Sequence, residues 1–148
     1  MAEVNGCQIP EDLLYHVDPD ANAFTWAKDN GDGTYTIGLT SIAAAMAGRL
    51  VAYTPKKVGK VVKKGKSMAT IESGKWVGPV PAPFEGEIVE VNDALRGNAA
   101  LVNDDPYGQG WIAKLKPTNP DDVNQLLRGE EAVEALRKVA EEKGVKCE

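Results

Sequence analysis

The chain has 148 residues, a 43% hydrophobic and 26% charged composition and a formal net charge of −5, values that fit one globular domain and exclude a disordered chain. No apolar run is long enough to cross a bilayer, and Met1-Ala2-Glu3-Val4-Asn5 lacks both the basic and the apolar stretch of a signal peptide, so a cytoplasmic protein without membrane contacts is expected. The acidic balance also argues against nucleic acid as a partner, because phosphate binding draws on accumulated positive charge.

Residues 1–22 read as an N-terminal extension, 23–118 as a β domain and 119–148 as a helical segment packed on it. Cys7 and Cys147 lie near opposite ends with no CxxC or ligand-like spacing. A structural disulfide is not expected, and each reads as a free thiol on a loose terminus. His16 is the one histidine, which excludes a multi-histidine metal site, and nothing around it resembles a nucleophile elbow. Its expected role is structural.

From Phe24 to Thr40 the chain reads as a hairpin, with turn chemistry at Asp29-Asn30-Gly31-Asp32-Gly33. Thr40 stands where a calcium loop of this register needs glutamate, so the segment is a turn. A short helix follows over 41–47, N-capped by Thr40 or Ser41 and ended by Gly48 as a left-handed residue. From Leu50, strands alternate with turns at Pro55–Gly59, Lys63–Gly65 and Ser73–Trp76, which favours antiparallel neighbours in a sandwich or barrel. Lys56, Lys57, Lys60, Lys63, Lys64 and Lys66 cluster there without interleaved aromatics, as a solvated face does; a docking patch for an acidic partner is the minority reading.

The end of the chain is helical. Asp121–Leu127 predicts one short helix, and a second after Gly129 carries the apolar stripe Ala132, Val133, Leu136, Val139 and Ala140, closed by Lys143 and Gly144. Gly48-Arg49-Leu50-Val51 also faintly echoes Gly86-Glu87-Ile88-Val89. Two halves related by a pseudo-twofold would place their link, 73–83, at an apex.

That link is the most informative stretch. Pro79, Pro81 and Pro83 cannot donate to a ladder, so the arm that carries them is expected at a sheet edge. A turn over Ser73–Trp76 puts Gly74 where a type II′ hairpin wants glycine and leaves Lys75 outermost. A long stem on a rigid turn suits an amine that must be reached and acylated, although spacing alone shows only an exposed lysine.

Glu72-Ser73-x-Lys75, continued through Pro83, Gly86 and Glu87 to Ile88-Val89-Glu90-Val91-Asn92, resembles the lipoylation region of the H-protein family, the lipoyl carriers of the glycine cleavage system and their relatives. Thr36–Thr40 and Leu101-Val102-Asn103-Asp104-Asp105-Pro106-Tyr107-Gly108-x-Gly110-Trp111 extend the resemblance over roughly residues 24 to 118. It implies a mainly β, barrel-sandwich hybrid (lipoyl-domain-like) fold with lipoic acid attached covalently to Lys75. Glu72, Ser73, Gly74, Trp76 and Gly86 would serve recognition and positioning, and a lipoyl ligase or transferase would modify the lysine.

Several positions depart from the glycine cleavage pattern. Gly74 and Trp76 replace a valine and a small residue, and Gly78-Pro79-Val80-Pro81 replaces polar residues. Phe24-Thr25-Trp26 stands for His-Glu-Trp, and Ala99 for a proline. The run from Glu72 to Pro83 is more similar to the lipoate-binding proteins of heterodisulfide-reductase-like sulfur oxidation. The expected function is therefore a carrier of sulfur intermediates, serving a heterodisulfide-reductase-like complex and a dihydrolipoyl dehydrogenase-like enzyme. The alternatives are a glycine cleavage H protein carrying an aminomethyl group between the glycine cleavage enzymes, or an unmodified H-like interaction module. Biotin carriers flank their lysine with methionines, which Gly74 and Trp76 do not match. One histidine and no convergent acid–base set make a stand-alone enzyme the weakest reading.

Overall fold

Short runs of β-branched and aromatic residues, broken by Gly, Pro and Asn, fold into antiparallel strands throughout. The computed structural model describes residues 1–147. In chain order the elements are β1 (Ala2–Val4), β2 (Cys7–Ile9), β3 (Leu14–Asp18), β4 (Ala23–Asp29), β5 (Tyr35–Leu39), α1 (Ser41–Ala47), β6 (Leu50–Pro55), β7 (Val61–Val62), β8 (Ser67–Ser73), β9 (Val77–Pro81), β10 (Gly86–Val91), α2 (Leu101–Asp104), β11 (Ala113–Pro117) and α3 (Gly129–Lys143). A six-stranded sheet in the order β3-β4-β5-β11-β10-β7 faces a three-stranded sheet, β6-β8-β9, while β1 and β2 form a separate hairpin. The mainly β, lipoyl-domain-like architecture expected from the sequence is what the chain adopts.

Between the two sheets lies one apolar core, containing Ile37, Met68, Ile71, Val80, Phe84, Ile88, Leu115 and their neighbours. A second core lies on the outer face of β4. There Phe24 and Trp26 meet Val4, Ile9 and Tyr15 from the N-terminal strands, and the α3 stripe Ala132, Val133, Leu136, Val139 and Ala140. This double coverage explains why Ala23 to Ala27 is buried without alternation. A strand with apolar matter on both faces has no polar side to show. Trp26 is 2% exposed, its indole N–H donates to the Pro106 carbonyl at 3.0 Å, and its truncation to alanine would cost about 3–5 kcal/mol. The stretch 1–22 thus contributes five of the thirteen buried residues of this second core, and β3 pairs along its length with β4 from Leu14↔Ala27 to Asp18↔Ala23.

The internal echo has a structural counterpart. β6 pairs with β8 and β10 with β11, and each pairing shifts register at the same place, between Leu50 and Ala52 and between Ile88 and Glu90. One extra residue therefore bulges at Val51 and at Val89, the corresponding positions of the two halves. The proline-bearing arm is β9, which lies at the edge of its sheet. Ser73 N–H donates to the Trp76 carbonyl and Ala82 N–H to the Lys66 carbonyl. By strand alternation the nitrogens of Pro79 and Pro81 then face the free edge, where a missing donor costs no ladder bond.

Three expectations need correction. The short helix expected over Asp121–Leu127 is a 3-10 helix that ends earlier: it spans Pro120–Gln125, capped by Asn119, and Leu127 lies beyond it, exchanging backbone hydrogen bonds with Tyr15 at 2.8 Å and covering the β3 edge. Gly48 ends α1 with φ 85° but ψ −179°, an extended exit rather than a left-handed cap. The largest correction concerns the cysteines. Cys7 and Cys147 are joined by a disulfide, with Cα atoms 4.9 Å apart, and neither is a free thiol. The termini meet because α3 returns the chain to the N-terminal hairpin, where Cys147 N–H donates to the Asn5 carbonyl and the Asn5 amide donates to the Val145 carbonyl. A separation of 140 residues carries no local signal of that meeting.

Closing so long a loop restricts the unfolded chain strongly, so Cys7→Ser or reduction should lower stability by about 2–5 kcal/mol. Denaturant melts with and without reductant measure this; equal midpoints would contradict it. His16 supplies a second expectation. Burial, then the Lys64 ammonium, lower its pKa against an opposing pull from Asp18, so the unfolded chain takes up a proton that the folded chain refuses. Stability should fall as pH drops below about 6.5 and level off beneath the folded pKa. Melts across pH 5–8 should show this extra loss in the wild type but not in His16→Gln; parallel profiles would refute it.

Candidate functional site

Lys75 sits at the tip between β8 and β9, as the proline-edged hairpin predicts, but the turn that holds it differs from the expected one. Gly74 does not adopt a positive φ, so this is not a type II′ turn. Ser73 closes it instead: its hydroxyl oxygen accepts from Lys75 N–H at 3.3 Å, and its backbone N–H donates to the Trp76 carbonyl at 2.8 Å. A side chain that caps its own turn supplies what glycine geometry would otherwise supply. Space around Gly74 is open.

The Lys75 side chain is exposed, but its stem does not stand free of the protein. It runs across Gly48, where an added Cβ would come within 2.8 Å of the Lys75 Cε. The residue after α1 favours glycine for its positive φ, and the missing side chain leaves the lysine stem free to lie close to the backbone there. Asn103, from α2, holds that corner in place. Its amide group donates to the Gly48 carbonyl at 2.9 Å and its oxygen accepts from Leu50 N–H at 2.9 Å. Beside it, Arg49 pairs with Asp104 at 3.0 Å. The two separated sequence motifs, around Lys75 and around Asn103, thus meet at one point.

Next to the stem opens a cleft of about 370 Å³, lined by Phe24, Leu39, Ala43, Met46, Ala47, Ile71, Trp76, Pro79 and Pro81, with Asn22 at its rim. The α1 residues present one face to it because Ile42 and Ala44 on other faces are buried. Trp76 is half-buried, its ring lying over Gly78, whose missing side chain makes the room. It is therefore both a cover for the hairpin and a wall of the cleft. An apolar trough of this size, starting at the amine, fits the aliphatic chain and sulfur ring of a lipoyl group, which offers no charge to be matched.

Of the residues singled out in the sequence, Ser73, Gly74, Lys75 and Trp76 share this apex. Glu72 flanks it, exposed on β8 between Ala52 and Val77. Gly86 does not join them. It lies in the other sheet between Val62 and Pro117, where a Cβ would meet the Lys116 carbonyl, so its role is close strand packing. Gly48, Asn103, Met46 and Phe24 belong to the site without having been singled out for it; the Leu-Val-Asn motif was the available signal for Asn103.

Asn103→Ala, which strips the Gly48 carbonyl and Leu50 N–H of a partner, should destabilise the fold by about 1–3 kcal/mol. Gly74→Ala, with open space for its methyl group, should stay within about 0.5 kcal/mol of wild type. Urea melts of the two variants distinguish them; the reverse order would contradict this account of the apex.

Comparison with known proteins agrees with this geometry. A family model described as glycine cleavage H-protein matches residues 14–139. "Glycine cleavage system H protein 5" of Aquifex aeolicus (strain VF5) is 72% identical over 148 residues, spanning 99% of each chain. "Glycine cleavage system H protein 2" of the same organism is 50% identical over 146 residues, 98% of this chain and 88% of that one. Among solved structures, a glycine cleavage system H protein from Mycobacterium marinum superposes with a TM-score of 0.71 at 34% identity, covering 93% of this chain and all (100%) of the other. The chain belongs to the glycine cleavage H-protein family, whose members are lipoyl carriers on a lysine and not themselves catalysts.

Proposed function

We propose that Lys75 is the lipoyl attachment site and that the chain carries an aminomethyl group between the enzymes of glycine cleavage. The observation that carries this reading is the seating of Lys75 at a rigid apex, its stem passing over Gly48 into an apolar cleft. When bound, the lipoyl group supplies a sulfur pair that takes up and releases the cargo. The protein's own part is positional. Ser73 fixes the root of the lysine, Asn103 fixes the corner beneath its stem, and Phe24, Met46, Ile71 and Trp76 exclude water from one side of the arm. A tethered arm reaches successive active sites at high effective concentration without new contacts for each. The modifying ligase or transferase has Glu72 and Trp76 exposed beside the lysine to recognise.

One observation favours a second reading, in which the arm carries sulfur intermediates for a heterodisulfide-reductase-like complex. Once Lys75 is acylated, the cleft lining holds no charged side chain and a single amide, Asn22. A cationic amine buried there would find no carboxylate partner, whereas a sulfur-borne cargo without a cation needs none. The comparisons lend this branch no support, and glycine cleavage is the better-backed of the two.

Purified wild type and Lys75→Arg should be treated with lipoate, ATP and a lipoate ligase, then mapped by peptide mass. A lipoyl increment on Lys75 alone, absent from the variant, is the expected result. The lipoylated wild type should then support glycine-dependent bicarbonate exchange with glycine decarboxylase, and the variant should fall below about 1% of that rate. Modification at another lysine would overturn the site. Modification at Lys75 without exchange, but with turnover by the sulfur-oxidising complex, would select the second reading.

A further inference from the structure

A concentration of lysines lies at the other end of the sandwich from Lys75. Residues 56–66 hold six lysines and no acidic residue, so all 22 Asp and Glu lie elsewhere in the chain. Lys57, Lys60, Lys63, Lys64 and Lys66 are exposed and Lys56 is half-buried. Among the described residues none of them forms an ion pair. Their distribution is uneven. Lys63 and Lys64 share a groove with Glu85 and Asp122, whereas Lys56, Lys57 and Lys60 line another, of about 420 Å³, with Thr54, Pro55 and Thr70 and no acid.

This acid-free part is a built surface. Lys56 N–H donates to the Met68 carbonyl at 2.9 Å, Gly59 N–H to the Ile88 carbonyl at 2.7 Å, and Lys60 N–H to the Lys57 carbonyl at 3.1 Å, so the turn is held to two strands at once. Val58 and Val61 project from it at 57% and 55% exposure, among the few large apolar side chains the surface displays. Glu87 stands opposite Val61 on β10, with Lys116 on its far side.

We infer that the 56–61 turn is a docking face for an acidic protein segment that carries aliphatic side chains. The lysines steer and surround such a partner, and Val58 and Val61 give it an apolar centre, the division of labour usual in protein interfaces. Because the chain outside residues 56–66 carries 22 acidic against 11 basic residues (17 − 6), the same partner is disfavoured over most of the remaining surface, which directs it to this pole. Nucleic acid fits less well, since the turn has no aromatic side chain on which a base could stack. A membrane fits less well too, because the chain outside this turn is net acidic and would be repelled by an anionic lipid surface. β8 runs from this pole to the Lys75 apex, about 20 Å of strand. A partner held here leaves the apex unobstructed, so the face serves as a tether rather than as the place where the arm delivers.

The test uses the full, unmodified chain, so its outcome does not depend on lipoylation of Lys75. Fluorescence anisotropy at about 0.15 M salt measures binding of a labelled peptide of about 16 residues, glutamate with a leucine at every fourth position. Lys57→Glu with Lys60→Glu should weaken binding by about 30-fold or more, and Val58→Ser with Val61→Ser by about 5-fold. Lys138→Glu with Lys143→Glu, the same charge change placed on α3, should alter it by less than about 2-fold. Circular dichroism melts confirm that each variant folds, and amide shifts on titration of the wild type should map to 54–66. Equal weakening by both lysine pairs would overturn the inference. So would no binding by the folded wild type, or tighter binding to phosphatidylserine vesicles or an oligonucleotide than to the peptide.

Discussion

The Asn103 side chain reaches from α2 into the corner between α1 and β6, and it binds both sides of that corner through one amide. Gly48 can take its extended exit from α1 because its carbonyl accepts a hydrogen bond from the Asn103 amide there. Leu50 can then start β6 in register with Ser73, which places the Lys75 turn directly beside the corner. The helix, the strand and the apex are thus referred to one polar contact whose energy is modest but whose loss would strand two backbone groups. A lysine that must be long and mobile at its tip gains a defined direction at its root by this means.

Behind that corner the protein has a second layer. The N-terminal hairpin, α3 and the outer face of β4 enclose an apolar cluster to which Ile42 of α1 also belongs. α1 is therefore packed on one side by this cluster and presents Ala43, Met46 and Ala47 to the cleft on another. Tyr107 reinforces the join. Its hydroxyl accepts from Ser41 N–H at 3.0 Å and donates to the Gln8 carbonyl at 2.8 Å. The wall of the cleft is a seven-residue helix, too short to hold its shape alone, and its rigidity is borrowed from both layers.

Much of this could be read before any coordinates, and the parts that could not share a physical reason. Local chemistry was readable: Thr40 caps α1, Asp29 and Asp32 satisfy their own turn, the α3 stripe is buried, and the prolines mark an edge. The H-type resemblance located the Lys75 turn. What stayed hidden depended on contacts between distant segments. Cys7 and Cys147 meet only once α3 has folded back, Leu127 pairs with Tyr15, and the Gly48 carbonyl is held by Asn103 from a distant helix. The Gly74 turn misled for a different reason. Two residue types in sequence, Ser then Gly, each offer a way to close a tight turn, and the serine side chain prevailed.

The prolines on β9 have a consequence for how other proteins can approach. With Pro79 and Pro81 turned toward its open flank, that strand presents too few donors to be extended by a strand from another chain. Partners are thereby denied the commonest backbone-to-backbone way of gripping an exposed sheet, at the place nearest Lys75. The approach left open at the tip is end-on, toward the side chains around Ser73 to Trp76, and the same barrier keeps neighbouring copies from zipping together along this edge.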